Sequence, residues 1–174
     1  MQTATSEPNM GKWTHYFDIY ERHLHKFRNT SVILLEIGVK NGGSLSVWRK
    51  YFGLSARIFG ADIYKRSIYM QQNTIYGTPE RIIIGDQGEE SFWNNIEKTL
   101  PNGQLDILID DGSHIPDHMK LSLNYGLKLL RPGGVYICED VHRSNNPFLH
   151  HVFNKIIYNE QISFECLSLY SILL

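Results

Sequence analysis

Apolar residues fall into two alternating rhythms along this chain. Over residues 16–27 (YFDIYERHLHKF), Phe17, Tyr20, Leu24 and Phe27 recur at offsets of three and four, which predicts an amphipathic helix. Residues 31–38 (SVILLEIG) form a continuous apolar run ending in glycine, the pattern of a parallel strand buried on both faces. Gly42-Gly43-Ser44 then opens a helix carrying Leu45, Val47, Trp48 and Tyr51. Further strands are predicted at 57–62 and 81–85, with a helix over 65–76 between them. A helix over 91–100 follows, its Phe92, Ile96 and Leu100 spaced by four. The fourth strand, 105–109, ends in Asp110-Asp111-Gly112, and a helix covers 116–130. Arg131-Pro132-Gly133-Gly134 reads as a turn into a fifth strand, 135–138, which ends at Glu139-Asp140. A helix over 148–158 and one or two strands within 163–174 complete the pattern.

Strands alternating with helices imply βαβ units. The expected class is α/β, a Rossmann-like, doubly wound and mostly parallel sheet with helices on both faces. Ligands of such sheets sit beyond the carboxyl ends of the strands. Five predicted strand ends collect glycines and acids: Glu36/Gly38, Asp62, Asp86, Asp110/Asp111 and Glu139/Asp140. A purely structural domain has no need of carboxylates there.

The length of 174 residues predicts one domain over 11–174 behind a flexible polar segment, 1–10. Within 163–174 the last strand reads as cut short, and an open edge there suits pairing with a second copy as a homo-oligomer. A net charge of −1 without a basic run argues against nucleic acid as partner. No apolar run is long enough for a membrane span, and the first residues lack a signal-peptide pattern. Cys138 and Cys166 make no disulfide framework, which fits a cytoplasmic location.

The first strand-to-helix turn, EIGVKNGGS, narrows the ligand. A dinucleotide fingerprint fails because Lys40 stands where its second glycine belongs. A phosphate-binding loop fails because Ser44 stands where its lysine belongs. A glycine turn (Gly38, Gly43, Ser44) beside an acid remains, and it suits a ligand with an ammonium and hydroxyls. Glu36 would repel pyrophosphate and could orient a sulfonium amino acid. Asp62 stands where an acid pairs with ribose hydroxyls, and Asp86 and Gln87 are placed to reach an adenine edge. The plainer alternative for Asp62 and Asp86 is helix capping.

The run LLEIGVKNGGSLSVWRKYF, followed by IFGADIY, GDQ, LDILIDDGSH and LLRPGGVYICED, resembles class I S-adenosylmethionine-dependent methyltransferases. More narrowly, it is similar to the macrocin and mycinamicin sugar O-methyltransferases and the related cephalosporin hydroxylase-like group. The resemblance covers roughly 11–140. It implies O-methyl transfer from S-adenosylmethionine to a small-molecule or sugar acceptor, assisted by Mg²⁺ or another divalent cation. By residue, it implies metal ligands at Asp111, Glu139 and Asp140, a catalytic base at His114, and Asp110 among the cofactor contacts. Lys12, His15 and Tyr16 resemble a family segment that approaches the cofactor.

Three carboxylates at neighbouring strand ends suit a hard cation, which prefers oxygen ligands. An imidazole suits proton transfer near neutral pH. The plainer readings are a capped turn for Asp110 to Ser113 and a solvated loop for Glu139-Asp140. Two rivals stand beside the methyltransferase reading. One is a metal-dependent hydroxylase-like enzyme, since two carboxylates and a histidine can hold iron. The other is a non-catalytic S-adenosylmethionine-binding module.

Overall fold

In a computed structural model, β-strands and helices alternate as βαβ units through five parallel strands. The structure describes residues 12, 14–74, 77–142, 146–157, 165–168 and 171–173. The segment 1–10, expected to be flexible, lies outside these residues, as does Leu174.

The strands are β1 (Ile33–Ile37), β2 (Arg57–Asp62), β3 (Arg81–Ile84), β4 (Leu105–Asp110), β5 (Leu130–Glu139), β6 (Glu165–Ser168) and β7 (Ser171–Leu173). Their order in the sheet is β3-β2-β1-β4-β5-β7-β6. β1 to β5 pair in parallel, whereas β7 runs antiparallel to both β5 and β6. The order reverses at β1, so the crevice between the ends of β1 and β4 is the topological switch point. β1 is central and buried along its whole length, as its unbroken apolar run requires.

Among the described residues, five α-helices pack on the sheet: α1 (Tyr16–Leu24), α2 (Gly43–Phe52), α3 (Glu90–Thr99), α4 (Pro116–Leu129) and α5 (Asn146–Ile157). They divide between two apolar cores. Leu35, Ile37, Phe59, Leu108 and Tyr136 meet α3, α4 and α5 on one face. Leu34, Ile58, Ile107, Ile109 and Ile137 meet α1 and α2 on the other. Alternation along each strand therefore decides which helices a side chain sees. Among the described residues, no helix is long and apolar enough to cross a membrane.

Three expectations are adjusted. Of the helix expected over 65–76, Lys65–Gln72 forms a 3₁₀ helix instead, its apolar pattern too weak to bury more than Ser67 and Met70, and residues 75 and 76 lie outside the described residues. In α1, Phe17 is exposed, and the buried stripe is Tyr16, Ile19, Tyr20 and Leu24. The Arg131–Gly134 turn is absorbed into β5 as an irregularity. There, residues 131–134 stand opposite Asp106 alone, between the pairs Leu105–Leu130 and Ile107–Val135. Pro132 cannot donate to a ladder, and Gly133 takes φ 80°, so the chain bulges rather than pairs. Asp106 steadies this corner by accepting the Ile33 amide at 2.8 Å and the Arg131 guanidinium at 3.3 Å.

Candidate active site

The ends of β1, β2 and β4 are tied to one another by backbone. The Gly38 amide donates to the Ala61 carbonyl at 2.8 Å, and the Asp111 amide donates to the Ile37 carbonyl at 3.0 Å. Gly38 takes φ 86°, and a Cβ there would lie 2.0 Å from the Asp111 carbonyl oxygen, so only glycine fits. A cleft of about 700 Å³ opens above these ends. One side is the glycine turn with Asp62, and the other is the β4 loop with Asp111 and His114 beside Asp140.

Of the expected cofactor residues, Gly38, Gly43, Ser44, Asp62, Asp86 and Gln87 line the cleft. Asp62 holds the glycine turn against the β2 loop: its two oxygens accept the Lys40 amide at 2.8 Å and the Tyr64 amide at 2.9 Å. Asp86 accepts the Gly88 amide at 2.8 Å.

Glu36 and Asp110 point elsewhere, and Gln87, although it lines the cleft, spends its amide on the protein. Glu36 is fully buried beneath the turn, and one oxygen accepts the Ser44 hydroxyl at 2.6 Å and the Trp48 indole N–H at 3.1 Å. Burial pushes its carboxyl above the usual range, against the pull of Lys12 and Ser44. Gln87 turns its amide inward, donating to Asp110 and to Ser122 and accepting the Ser113 amide at 2.7 Å. Asp110 also accepts the Tyr136 hydroxyl at 3.1 Å, and burial raises its carboxyl. Together Gln87 and Asp110 hold the β3 and β4 loops to each other from below.

The expected metal residues separate into two groups. Asp111, His114 and Asp140 each turn a ligand atom toward a common point, all within 4.8 Å of one another. His114 Nε2 lies 3.7 Å from Asp111 Oδ1. Both His114 (φ 57°) and Asp140 (φ 52°) adopt the left-handed conformation that such side chains rarely take, a strain that collects at functional sites. Glu139, 1% exposed, faces the protein interior instead. Its Oε2 accepts the Lys12 ammonium at 2.7 Å and its Oε1 the Tyr20 hydroxyl at 2.5 Å. Burial drives its carboxyl upward, with the Asp111 charge adding to the effect and Lys12 opposing it.

Lys12 bridges the two groups. Its ammonium donates to Asp111 Oδ2 at 2.6 Å and lies 3.3 Å from Glu36 Oε1. Burial alone would lower its pKa, but Glu36, Glu139 and Asp111 outweigh that and hold it above the ordinary range.

Proteins of known activity share both the motifs and this frame. A mycinamicin VI 2''-O-methyltransferase of Micromonospora griseorubida is 38% identical over 129 residues, which are 70% of this chain and 30% of that protein. A demethylmacrocin O-methyltransferase of Streptomyces fradiae is 33% identical over 151 residues, 81% of this chain and 36% of that one. The MycE methyltransferase from the mycinamycin biosynthetic pathway, solved in complex with Mg, SAH and mycinamycin VI, superposes with a TM-score of 0.75. It is 25% identical, and the match covers 95% of this chain and 50% of that structure. This chain belongs with the class I S-adenosylmethionine-dependent methyltransferases. It spans about a third of the length of the curated relatives it matches. No protein-family model matches it.

In this methyltransferase fold, Lys12 and the first helix complete the site; the family resemblance pointed to Lys12 and Tyr16, whereas Tyr20 was read only as part of the apolar stripe. The Tyr16 hydroxyl donates to Asp140 Oδ1 at 2.8 Å and accepts the Asp140 amide at 3.0 Å. Tyr20 does the corresponding work for Glu139, and burial with neighbouring carboxylates keeps both phenols protonated as donors. The available signal was the spacing of Lys12, Tyr16 and Tyr20 by four, with phenols where phenylalanine would serve a purely apolar face.

Proposed function

We propose that this chain binds S-adenosylmethionine in the cleft and transfers its methyl group to a hydroxyl of a small molecule or sugar, assisted by Mg²⁺ or another divalent cation. The observation that carries the reading is a single cleft whose two walls suit the two halves of that reaction. A glycine turn with an acid at the end of β2 forms one wall, and two carboxylates with an imidazole form the other. The relatives, named as O-methyltransferases of mycinamicin VI and of demethylmacrocin, support the same reaction class.

The residues present suit both groups. For the donor, Asp62 keeps unused lone pairs on both oxygens to accept ribose hydroxyls. Glu36 braces the turn from beneath, its Oε1 already 3.3 Å from the Lys12 ammonium. For the cation, Asp111 and Asp140 offer the oxygen ligands that Mg²⁺ prefers, and few enough that water or an acceptor oxygen completes the shell. The Lys12 ammonium already held by Asp111 marks the place as attractive to positive charge. His114, a nitrogen donor less suited to Mg²⁺, is assigned the proton instead.

The donor would supply an electrophilic methyl group and the dication would lower the pKa of the acceptor hydroxyl. The chain's own work is alignment, charge balance and proton acceptance. The rigid turn held by Gly38 and Asp62 fixes one reactant, and the β4 loop fixes the other at near-attack distance. His114, at the mouth of the cleft, accepts the hydroxyl proton as the oxygen attacks.

The test is calorimetry with S-adenosylhomocysteine, followed by transfer of a labelled methyl group to a panel of sugar and small-molecule hydroxyls with and without chelator. Micromolar binding and chelator-sensitive transfer are expected. Failure to bind would remove the donor site, and activity that survives chelation would remove the metal. Product formed from Fe(II) and oxygen without a methyl donor would favour the hydroxylase instead.

A further inference from the structure

His118 joins the two walls of the cleft from behind. It stands in the first turn of α4, and its ring packs against the β3 loop, so that a Cβ on Gly88 would lie 2.5 Å from Nε2. On the other side, Nδ1 shares a hydrogen bond of 3.0 Å with the Ser113 hydroxyl and lies 3.8 Å from Asp86 Oδ1. Either partner can donate in the bond to Ser113, since hydroxyl and imidazole each carry both functions. Asp86 and Ser113 line the cleft, whereas His118 stands outside its lining. Ser113 is thereby pinned twice, through its hydroxyl by His118 and through its amide, which donates to Gln87 Oε1 at 2.7 Å. The next residue is His114, with its left-handed φ of 57°. That region of backbone space is small, so the direction of His114 follows closely from the residue before it.

We infer that His118 is a positioning residue for the transfer: by locking Ser113 to the β3 loop, it aims the His114 imidazole at the hydroxyl that attacks the methyl group. The inference rests on the methyl-transfer reading above, with His114 as the base, and adds what holds that base in register with the donor. The β3 loop carries Asp86 on the donor wall, and Asp86 is itself fixed by the Gly88 amide at 2.8 Å. With the ring wedged between Gly88 and Ser113, the donor wall and the base move as one body. Without the link, the peptide that carries His114 gains freedom relative to the donor. Proton transfer demands hydrogen-bond reach, and a displacement of about 1 Å costs on the order of 10²-fold in rate. Donor binding makes no such demand on His118, so the loss belongs to kcat.

The experiment compares His118→Leu, His118→Asn and Ser113→Ala with the unmodified chain. Each is followed by calorimetry with S-adenosylhomocysteine, by hydrogen exchange of the backbone amides in its presence, and by steady-state methyl transfer to the best acceptor of the hydroxyl panel. His118→Leu is expected to lower kcat by at least about tenfold, with S-adenosylhomocysteine affinity within about threefold of the unmodified chain. Exchange over residues 111–115 should quicken by about 2- to 12-fold, the worth of one neutral hydrogen bond, while residues 33–40 stay protected. Asparagine places an amide atom where Nδ1 stands, so His118→Asn should return kcat to within about threefold of the unmodified chain. Ser113→Ala should match His118→Leu, and the two together should fall no more than about threefold below either alone, because both remove the same bond. A merely structural histidine would instead lower stability and donor affinity together and leave kcat of the folded fraction unchanged. Unchanged kcat in His118→Leu or Ser113→Ala would overturn the inference while leaving the methyl-transfer reading intact, as would faster exchange spreading to residues 33–40. If His118→Leu fails to fold, Ser113→Ala decides the matter. No methyl transfer by the unmodified chain would overturn the reading and the inference together.

Discussion

Asp62 serves two structures at once, which makes it the most informative single side chain in the cleft. It ties down the left-handed Lys40 of the glycine turn and anchors Tyr64, and the same carboxylate is the acceptor available to ribose. A hydrogen bond to a charged group contributes roughly 1.5–3 kcal/mol, or about 10- to 150-fold in affinity. Asp62→Ala is therefore expected to weaken S-adenosylhomocysteine binding by at least about tenfold in calorimetry. It should also lower thermal stability by about 1–3 kcal/mol, because the Lys40 amide loses its acceptor. Unchanged affinity would remove Asp62 from the donor site. His114 separates chemistry from strain. Its φ of 57° is one that asparagine adopts readily, so His114→Asn leaves the backbone unstrained while removing the imidazole. Methyl transfer should fall by about 10²- to 10⁴-fold with donor affinity retained. A variant that still turns over at the original rate would leave His114 without a role in proton transfer.

At the scale of the elements, the strand rhythm explains why some acids reach the cleft and others do not. Leu35 and Ile37 face α3 and α4, so Glu36 between them faces α1 and α2, where it meets Trp48 and Lys12. Ile109 shares that second face, so Asp111 follows it there while Asp110 turns to Gln87 and Tyr136. Ile137 likewise sets the direction of Glu139. The strands and the acids at their ends were legible in the residue string because apolar runs and period-two alternation are local. Lys12 was not legible as an ion-pair partner, since it meets Asp111 across 99 residues and Glu139 across 127, and no periodicity encodes that approach. The 131–134 bulge was hidden for a related reason: Pro-Gly-Gly reads as a turn whether or not the flanking residues already belong to the strand. The glycine turn itself was legible, and its cause can be tested. Gly38→Ala would place a methyl against the Asp111 carbonyl with φ held at 86°. Overpacking and left-handed strain together cost about 2–5 kcal/mol. Denaturant unfolding should register that loss, with donor binding weakened alongside it; a stability change under 1 kcal/mol would show the β1 and β4 loops to be freer than their backbone bonds imply.

Across the whole molecule, the donor half and the acceptor half of the cleft rest on different parts of the sheet. The glycine turn and Asp62 stand on β1 and β2, near the middle, whereas Asp140 stands at the end of β5. That end is held on both sides: β4 pairs through Asp110 with Cys138, and β7 pairs Leu173 with Ile137, Ile172 with Cys138 and Ser171 with Glu139. Removing residues 165–174 would leave the end of β5 as a bare edge, with the apolar Val135, Tyr136 and Ile137 beside unpaired backbone groups. Such an edge recruits other strands, so size-exclusion chromatography should show self-association where the full chain elutes at lower mass. The two ligand sites should respond unequally. Mn²⁺ affinity should fall by at least about tenfold, the worth of one misplaced charge-assisted ligand. S-adenosylhomocysteine affinity should change several-fold less, because β1 and β2 keep all their neighbours. Equal losses at both sites would mean that the sheet responds as one unit, and an unchanged Mn²⁺ affinity would mean that Tyr16, reaching Asp140 from α1, suffices to hold the carboxylate without the edge strands.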